Sequence, residues 1–294
     1  MPARKPGEEG VALLLVLWTV ALMTVLGFSL AHGIDTQATI DRNQYDAAQA
    51  QALADTGVSL AILGVLERSA DGAWRLDGSA RKLAYADGSV IVRVQNEAGK
   101  IDLNRAEADL LANLFRTTGS DDDTAKALGD AIADWKRRRR AHWREPADEI
   151  APNVSMGDVQ PFLALEELQQ VPGMTPEIYD RASPYLTVYS GSARVDPLSA
   201  PREVLLSLPG ADAREVEAYV AARAEMGANP ALLPVLDDVG AYLGGGLLAY
   251  VSILSEGRTP SHARFIRQAT VSLLGTGAAR FRFVTWQQGR GAGQ

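Results

Sequence analysis

Apolar residues run almost unbroken from Val11 to Ala31, VALLLVLWTVALMTVLGFSLA, with only Thr19, Thr24, Gly27 and Ser29 interrupting. No charged residue falls between Glu9 and Asp35. A helix of about 20 apolar residues crosses a hydrocarbon core of roughly 30 Å, so the run predicts a membrane span. Residues 34–68 lack proline and are rich in Ala, Gln and Leu, which extends the helix. From Val11 to Arg68 it would measure about 87 Å. Ala48, Leu53, Val58, Ile62 and Leu66 are spaced for a buried stripe, and Gly33 and Gly57 are expected bending points.

Beyond the helix the period changes from helical to alternating. Asp77-Gly78 reads as a turn, and Lys82–Ala86, Asp87-Gly88 and Ser89–Gln95 as a hairpin, with Val90, Val92 and Val94 on the better-buried face. Lys100–Leu103 is a further short strand. Residues 104–242 carry helical patterns and no convincing strand. Strands return at Leu247–Leu254, Ala263–Leu274 and Ala279–Gln287, and the tail Gly289–Gln294 is expected to be disordered. This order predicts one α+β unit: a long helix on an antiparallel sheet that is split by an α-helical insertion.

The helical middle repeats itself. Leu168-Gln-Gln-Val171-Pro172-Gly173-Met174 matches Leu205-Leu-Ser-Leu208-Pro209-Gly210-Ala211, and Ile101-Asp102 through Leu110-Leu111 echoes Val195-Asp196 through Val204-Leu205. The repeated element is a turn, a helix, a Pro-Gly hairpin and a second helix. Gly173 and Gly210 are expected at positive φ. Asn104, with Glu107 three residues on, reads as an N-cap and its capping-box partner.

Composition narrows the chemistry. Cysteine is absent, which excludes disulfides, thiolate metal sites and cysteine nucleophiles without fixing the compartment. Twenty-nine Lys and Arg against 36 Asp and Glu leave a net charge of −7, which opposes a chain-wide nucleic-acid footprint. No HExxH, Walker A, GxGxxG or GxSxG motif occurs, so catalysis has no motif behind it. His32, His142 and His262 are far apart. His142 is expected in a Trp-rich turn with Trp135 and Trp143. Asp121-Asp122-Asp123 precedes a helix at 124–140 and reads as a negative cap on its dipole. Lys136–Arg140 reads as a solvated cationic face or loop.

Three readings compete for the N-terminus. A secretory signal would cut near Ala31, although the apolar run is longer than the usual h-region. A plain anchor is the second. The third uses more residues: Met1–Gly10, with Arg4 and Lys5, resembles a prepilin-type leader cut after a glycine on the cytoplasmic side. The cations fit the positive-inside rule. The new N-terminus would be Val11. The fifth mature residue, where pilins and pseudopilins mostly carry Glu, would be Leu15. A carboxylate there is tolerated in lipid because it pairs with a neighbour's N-terminal ammonium. Leu15 cannot pair, which suits a filament tip.

With the leader, the stretches GKIDLNRAEADLL, ALGDAIADWK, LEELQQVPGMTPEIYDRASPYLTV and VDPLSAPREVLLSLPGA resemble the K family of type II secretion minor pseudopilins (GspK). The resemblance covers most of the chain. It implies a pilin-like helix and sheet with a helix-hairpin-helix, SAM-like insertion, and a non-enzymatic role. It implies a place at the pseudopilus tip with minor pseudopilins GspI, GspJ and also GspH, and processing and methylation by a prepilin peptidase. The resulting layout is leader 1–10, inner-membrane helix 11–33, helix and first strands 34–103, insertion 104–242, closing strands 243–288 and tail 289–294, with the bulk in the periplasm. Gly10 and Val11 are the processing residues and Leu15 the filament-packing residue.

Family members associate an acidic run after Asp-Trp with calcium. Here Asp134-Trp135 is followed by five cations, which oppose a site of six to eight oxygen ligands. Asp134, Asp148, Glu149 and Asp158 are the weak candidates, and no other cofactor is implied. The alternative reading, from another class, is a membrane-anchored nucleic-acid or ligand-binding module that uses the hairpin repeats. Hairpin N–H groups can meet phosphate, but Glu177 and Asp212 follow the two hairpins and oppose it, so no nucleic-acid partner is expected.

Overall fold

The computed structural model describes residues 8–67, 74–150, 160–226, 233–275 and 280–289. In chain order the elements begin with α1 (Glu8–Glu67), β1 (Asp77–Tyr85), β2 (Gly88–Asn96), β3 (Ile101–Asp102), α2 (Ala108–Thr117) and α3 (Asp122–Ile150). They continue with α4 (Pro176–Ala182), β4 (Leu186–Thr187), α5 (Arg202–Ser207), α6 (Ala213–Met226), β5 (Tyr250–Arg258), β6 (Arg264–Ser272) and β7 (Arg282–Gln288). The main sheet is antiparallel throughout, in the order β1-β2-β5-β6-β7.

Helix α1 is unbroken over 60 residues, about 90 Å at 1.5 Å per residue. Its C-terminal part lies on the sheet. Ala50, Ala54, Val58, Ala61, Ile62 and Val65 are buried against Val90, Val92, Val94, Val251, Ile253, Ala269 and Val271. Val58 and Ile62 of the expected stripe stand in this core, and its other members do not. Ala48 is exposed, and Leu53 and Leu66 only flank the core. The true stripe is built on small residues because the helix sits close. A β-carbon on Gly57 would come within 2.1 Å of Ser255 Oγ and 2.5 Å of Val90. Gly57 is therefore a contact point, and the helix continues unbroken through both Gly57 and Gly33.

The hairpin and the closing strands form where expected, within a few residues. Asp77-Gly78 differs: it opens β1, where the register slips between Asp77 and Ala80 and Gly78 takes φ 79°. The Asp77 carboxylate folds back onto the Ser79 N–H (3.1 Å) and Arg75, satisfying the irregular start. Gly289 donates to Ile266 O (3.0 Å), so pairing extends past β7; residues 290–294 of the expected tail lie outside the described residues.

The chain leaves the main sheet after β2 and returns at β5, its immediate neighbour. The segment between has a core of its own. Ile101, Leu103, Leu111, Leu114, Phe115, Leu128, Ile132, Phe162, Leu168, Val204 and Leu205 are its centre. Two short strands correct the reading of this region. Lys100–Leu103 does not join the main sheet. Its central residues form β3, which pairs in parallel with β4, a strand the all-helical reading of 104–242 omitted. Both are two residues long and fully buried, too short for alternation to register.

Candidate functional site

The exposed apolar face of α1 is the first candidate. Leu13–Leu26 is a mostly apolar run whose large side chains are all more than half exposed. Leu15 is 62% exposed and Trp18 70%. The stretch Thr39–Glu67 also has the length and composition of a span, but 44% of its most apolar window is buried; that part is the sheet's helix. Large exposed apolar patches mark contact with lipid or other chains. Gly10 and Val11 fall in the backbone of α1, their side chains outside the described residues, as are residues 1–7 of the leader and the side chain of His32.

The middle segment is held by one buried carboxylate. Asp102 Oδ1 accepts the N–H groups of Asn104 (2.8 Å) and Arg105 (3.2 Å). Its Oδ2 accepts from Gly191 N–H (2.7 Å) and the Ser190 hydroxyl (3.0 Å). Burial pushes the Asp102 carboxyl above its ordinary range, and these four donors pull the other way. Asn104 is not the cap of α2; that position is Glu107, whose side chain makes no capping bond. Asn104 is buried and exchanges two bonds with the Phe162 backbone, N–H to Oδ1 at 2.8 Å and Nδ2 to carbonyl at 3.0 Å. Asp102 occupies the turn that the capping box was expected to fill.

The repeats are structural. The Asp102 carbonyl accepts Arg105 and Ala106 N–H groups, and the Asp196 carbonyl accepts Ser199 and Ala200 N–H groups, at matching offsets. Met174 N–H closes on Val171 O and Ala211 N–H on Leu208 O, with Gly173 and Gly210 both at φ 88°. These are type II turns, which require a positive φ at their third residue. Behind them Thr175 caps α4, and the Asp212 carboxylate accepts Arg214 and Glu215 N–H groups at the start of α6. That carboxylate stands where a phosphate would have to bind.

The cationic run is not a solvated loop. It lies inside α3, and consecutive residues turn about 100° apart around the axis. Lys136 is buried and donates to Ala106 O at 2.5 Å. Arg139 forks onto Glu167 at 3.1 Å, donates to Pro161 O and lies over Trp135, which stacks on Phe162. Arg140 reaches Asn104 O at 3.3 Å. Burial and then the nearby Arg140 charge lower Lys136 to about 8. Lys136, Arg139 and Arg140 thus clamp the Asn104 and Phe162 segments to α3, while Arg137 and Arg138 stay on an exposed face as expected.

Asp121 caps α3 through Thr124 N–H (2.9 Å), and Asp122 pairs with Arg116. The helix extends from Asp122 to Ile150, so Trp135, His142 and Trp143 are helical and not in a turn. Of the calcium candidates, Asp134 is exposed and pairs with Arg137. Asp148 and Glu149 end α3 with side chains outside the described residues, and Asp158 is outside them altogether. Among the described residues no three His, Asp or Glu side chains gather as a metal site. A cavity of about 510 Å³ lies between Tyr219, Leu198 and Leu236. Of its two carboxylates, Asp196 and Asp237, the first is already satisfied by Leu198 N–H and Ser199 Oγ.

The comparisons agree with this geometry. Residues 91–191, from β2 through β4, match the family model of type II secretion system protein K. The fold is similar to a chain in the crystal structure of the GspK–GspI–GspJ complex from the enterotoxigenic Escherichia coli type 2 secretion system. The TM-score is 0.53 at 16% identity, over 85% of this chain and 99% of that one. No curated protein sequence matches. The fold and the matched segment define a component of type II secretion. Over that segment the chain carries the domain of protein K, as the resemblance to the K-type minor pseudopilins implies.

Proposed function

We propose that this chain is a minor pseudopilin at the tip of the periplasmic pseudopilus, where it starts assembly and supports export of folded proteins. The observation that carries the reading is α1. One continuous helix is packed on a sheet at its C-terminal end and carries the apolar run Leu13–Leu26 largely exposed at the other. Such a helix has two tasks, to cross the inner membrane and to pack beside the helices of neighbouring subunits. In this reading residues 11–33 span the membrane, the pilin-like unit is α1 with the five-stranded sheet, and the segment between β2 and β5 is an α-helical insertion exposed to the periplasm. Counterparts of GspI and GspJ, and of GspH, are the partners, and no catalytic step is assigned.

Processing tests it. A prepilin peptidase would cut after Gly10 and leave a methylated Val11. Intact mass and N-terminal sequence of the membrane protein, with and without the peptidase, decide the matter. Cleavage at Gly10 that is lost in Gly10→Glu supports the reading. An uncut Met1 or a start near His32 overturns it. The nucleic-acid alternative finds no support, since Asp212 already occupies the helix start that a phosphate would need.

A further inference from the structure

The cavity between α6 and the segment 233–245, which leads the chain back to β5, has no task in the assembly reading. It measures about 510 Å³. An apolar cavity of about 150 Å³ already holds a benzene-sized group, so this one has room for about three. Its walls are mostly apolar, with Leu198, Leu233, Leu236 and Leu243 among them. Gly240 and Gly245 line it too, and a β-carbon on either would meet nothing within 4 Å.

The polar groups around it are of two kinds. The first are unused donors. Tyr219 of α6 lines the cavity and is 5% exposed, and its hydroxyl makes no hydrogen bond among the described residues. Burial raises its pKa above the ordinary phenol value, so the hydroxyl stays protonated and can donate. The N–H groups of Val235 and Gly245, both lining residues, are also unused among the described residues. The second kind are carboxylates. Asp237 lines the cavity and is exposed, as is Asp238 beside it. Neither pairs with a cation among the described residues.

These groups specify an occupant. Unused donors call for carbonyl oxygens, unpaired carboxylates for cations, and leucine walls for an apolar side chain. The apolar surface also continues past the mouth: Val235 is 73% exposed, and Leu247, two residues beyond Gly245, is 83% exposed. A ligand confined to the cavity would leave both in water. A fatty acid suits the walls but brings its own carboxylate toward Asp237. An extended peptide supplies everything at once: main-chain carbonyls, an apolar side chain, flanking Lys or Arg, and length to cover the rim.

We infer that this cavity is a docking site for an extended segment of a partner protein, in which an apolar side chain is flanked by lysine or arginine. The apolar side chain enters between the leucine walls. Main-chain carbonyls of the segment accept from the Tyr219 hydroxyl and the Val235 and Gly245 N–H groups, and a flanking cation reaches Asp237. Such a site is separate from the apolar run of α1, so it stands whether or not the chain enters a filament.

The test uses the full chain in phosphatidylcholine nanodiscs, because detergent would enter an apolar cavity. The probes are two fluorescein-labelled pentapeptides, one a leucine flanked by lysines and the other the same leucine flanked by glutamates. Binding is read by fluorescence anisotropy at about 0.15 M salt, where the pull of the chain's net charge of −7 is screened. The lysine peptide should bind about tenfold more tightly than the glutamate peptide. Asp237→Asn should shrink that preference, and Tyr219→Phe, which removes one hydroxyl, should weaken the lysine peptide several-fold. Gly245→Leu, whose side chain enters open space, should weaken it about tenfold with an unchanged melting midpoint. If Gly245→Leu does not fold, Tyr219→Phe and Asp237→Asn decide. No binding, equal binding of the two peptides, or binding indifferent to these substitutions overturns the site. Displacement of the peptide by lauric acid at lower concentration, or self-association of the chain that Gly245→Leu abolishes, gives the cavity another occupant and overturns it too.

Discussion

Gly257 of β5 lies directly beneath Ala50 of α1: a β-carbon on the glycine would stand 2.2 Å from the Ala50 carbonyl oxygen and 2.7 Å from the Ala54 nitrogen. Both obstacles are backbone, so neither can swing aside. Gly57 on the helix is also close, its nearest neighbours being the side chains of Ser255 and Val90. At Gly257 the helix and the sheet are in contact at main-chain distance.

Gly257→Ala should therefore destabilise the sheet unit by about 3 kcal/mol, the upper end of ordinary overpacking. Gly245→Ala, where nothing lies within 4 Å of the new β-carbon, should change stability by less than about 1 kcal/mol. Chemical denaturation of the two variants in detergent checks the contrast. Equal effects would remove the close-contact account.

Asp102→Asn is nearly isosteric but turns one acceptor into a donor. Whichever way the amide is placed, its NH₂ faces N–H or O–H donors, from Ser190 and Gly191 or from Asn104 and Arg105. A loss of about 2 kcal/mol is expected, the cost of buried donors without acceptors. Hydrogen exchange at the Gly191 and Asn104 amides should accelerate before the main sheet does.

Lys136 gives a pH signature. Its pKa is lowered to about 8 in the folded chain from 10.5, so between those values the unfolded state holds more protons. Stability must then rise with pH across the interval, as the buried cation is neutralised. The burial penalty is fully present below pH 8 and is lost toward pH 10.5. Lys136→Met should abolish that rise. Denaturation midpoints of both proteins from pH 7 to 10.5 should converge as pH increases; a constant gap would contradict the burial account.

Leu15→Glu probes the tip assignment. A carboxylate at the fifth mature position would let this subunit dock on one beyond it. The variant should be processed like the parent yet be found within sheared filaments at a higher ratio to the major pseudopilin. An unchanged ratio would detach filament position from this residue.

What was legible from the residues depended on how local the cause was. The apolar run of α1 and the Pro-Gly turns at Gly173 and Gly210 follow from a few adjacent residues, and both stand in the structure. Asn104 misled because a capping box is a local pattern, and a distant partner, Phe162, claimed its side chain. Lys136–Arg140 looked solvated because a charge run is read as a unit, whereas a helix sends each member a different way. Val58 and Ile62 of the buried stripe were legible, whereas Ala50, Ala54 and Ala61 were not, because apolar spacing weights large residues and small ones carry the rest.

The pairing of β2 with β5 has a consequence for how the chain folds. Asn96 lies opposite Val251, so the centre of the sheet is joined across everything between them. Closing so long a loop from an open chain costs about 4 kcal/mol, and about 2 kcal/mol more than a loop a tenth its length. The middle segment, with its own core and its mostly short-range turns, can form without the sheet; once formed, it brings Glu97 and Tyr250 together, held by the bond from Ser252 to Glu97. The order of events is then set from the inside outward: the middle first, the central strand pair next, and α1 last, when there is a finished surface for Gly57 to meet.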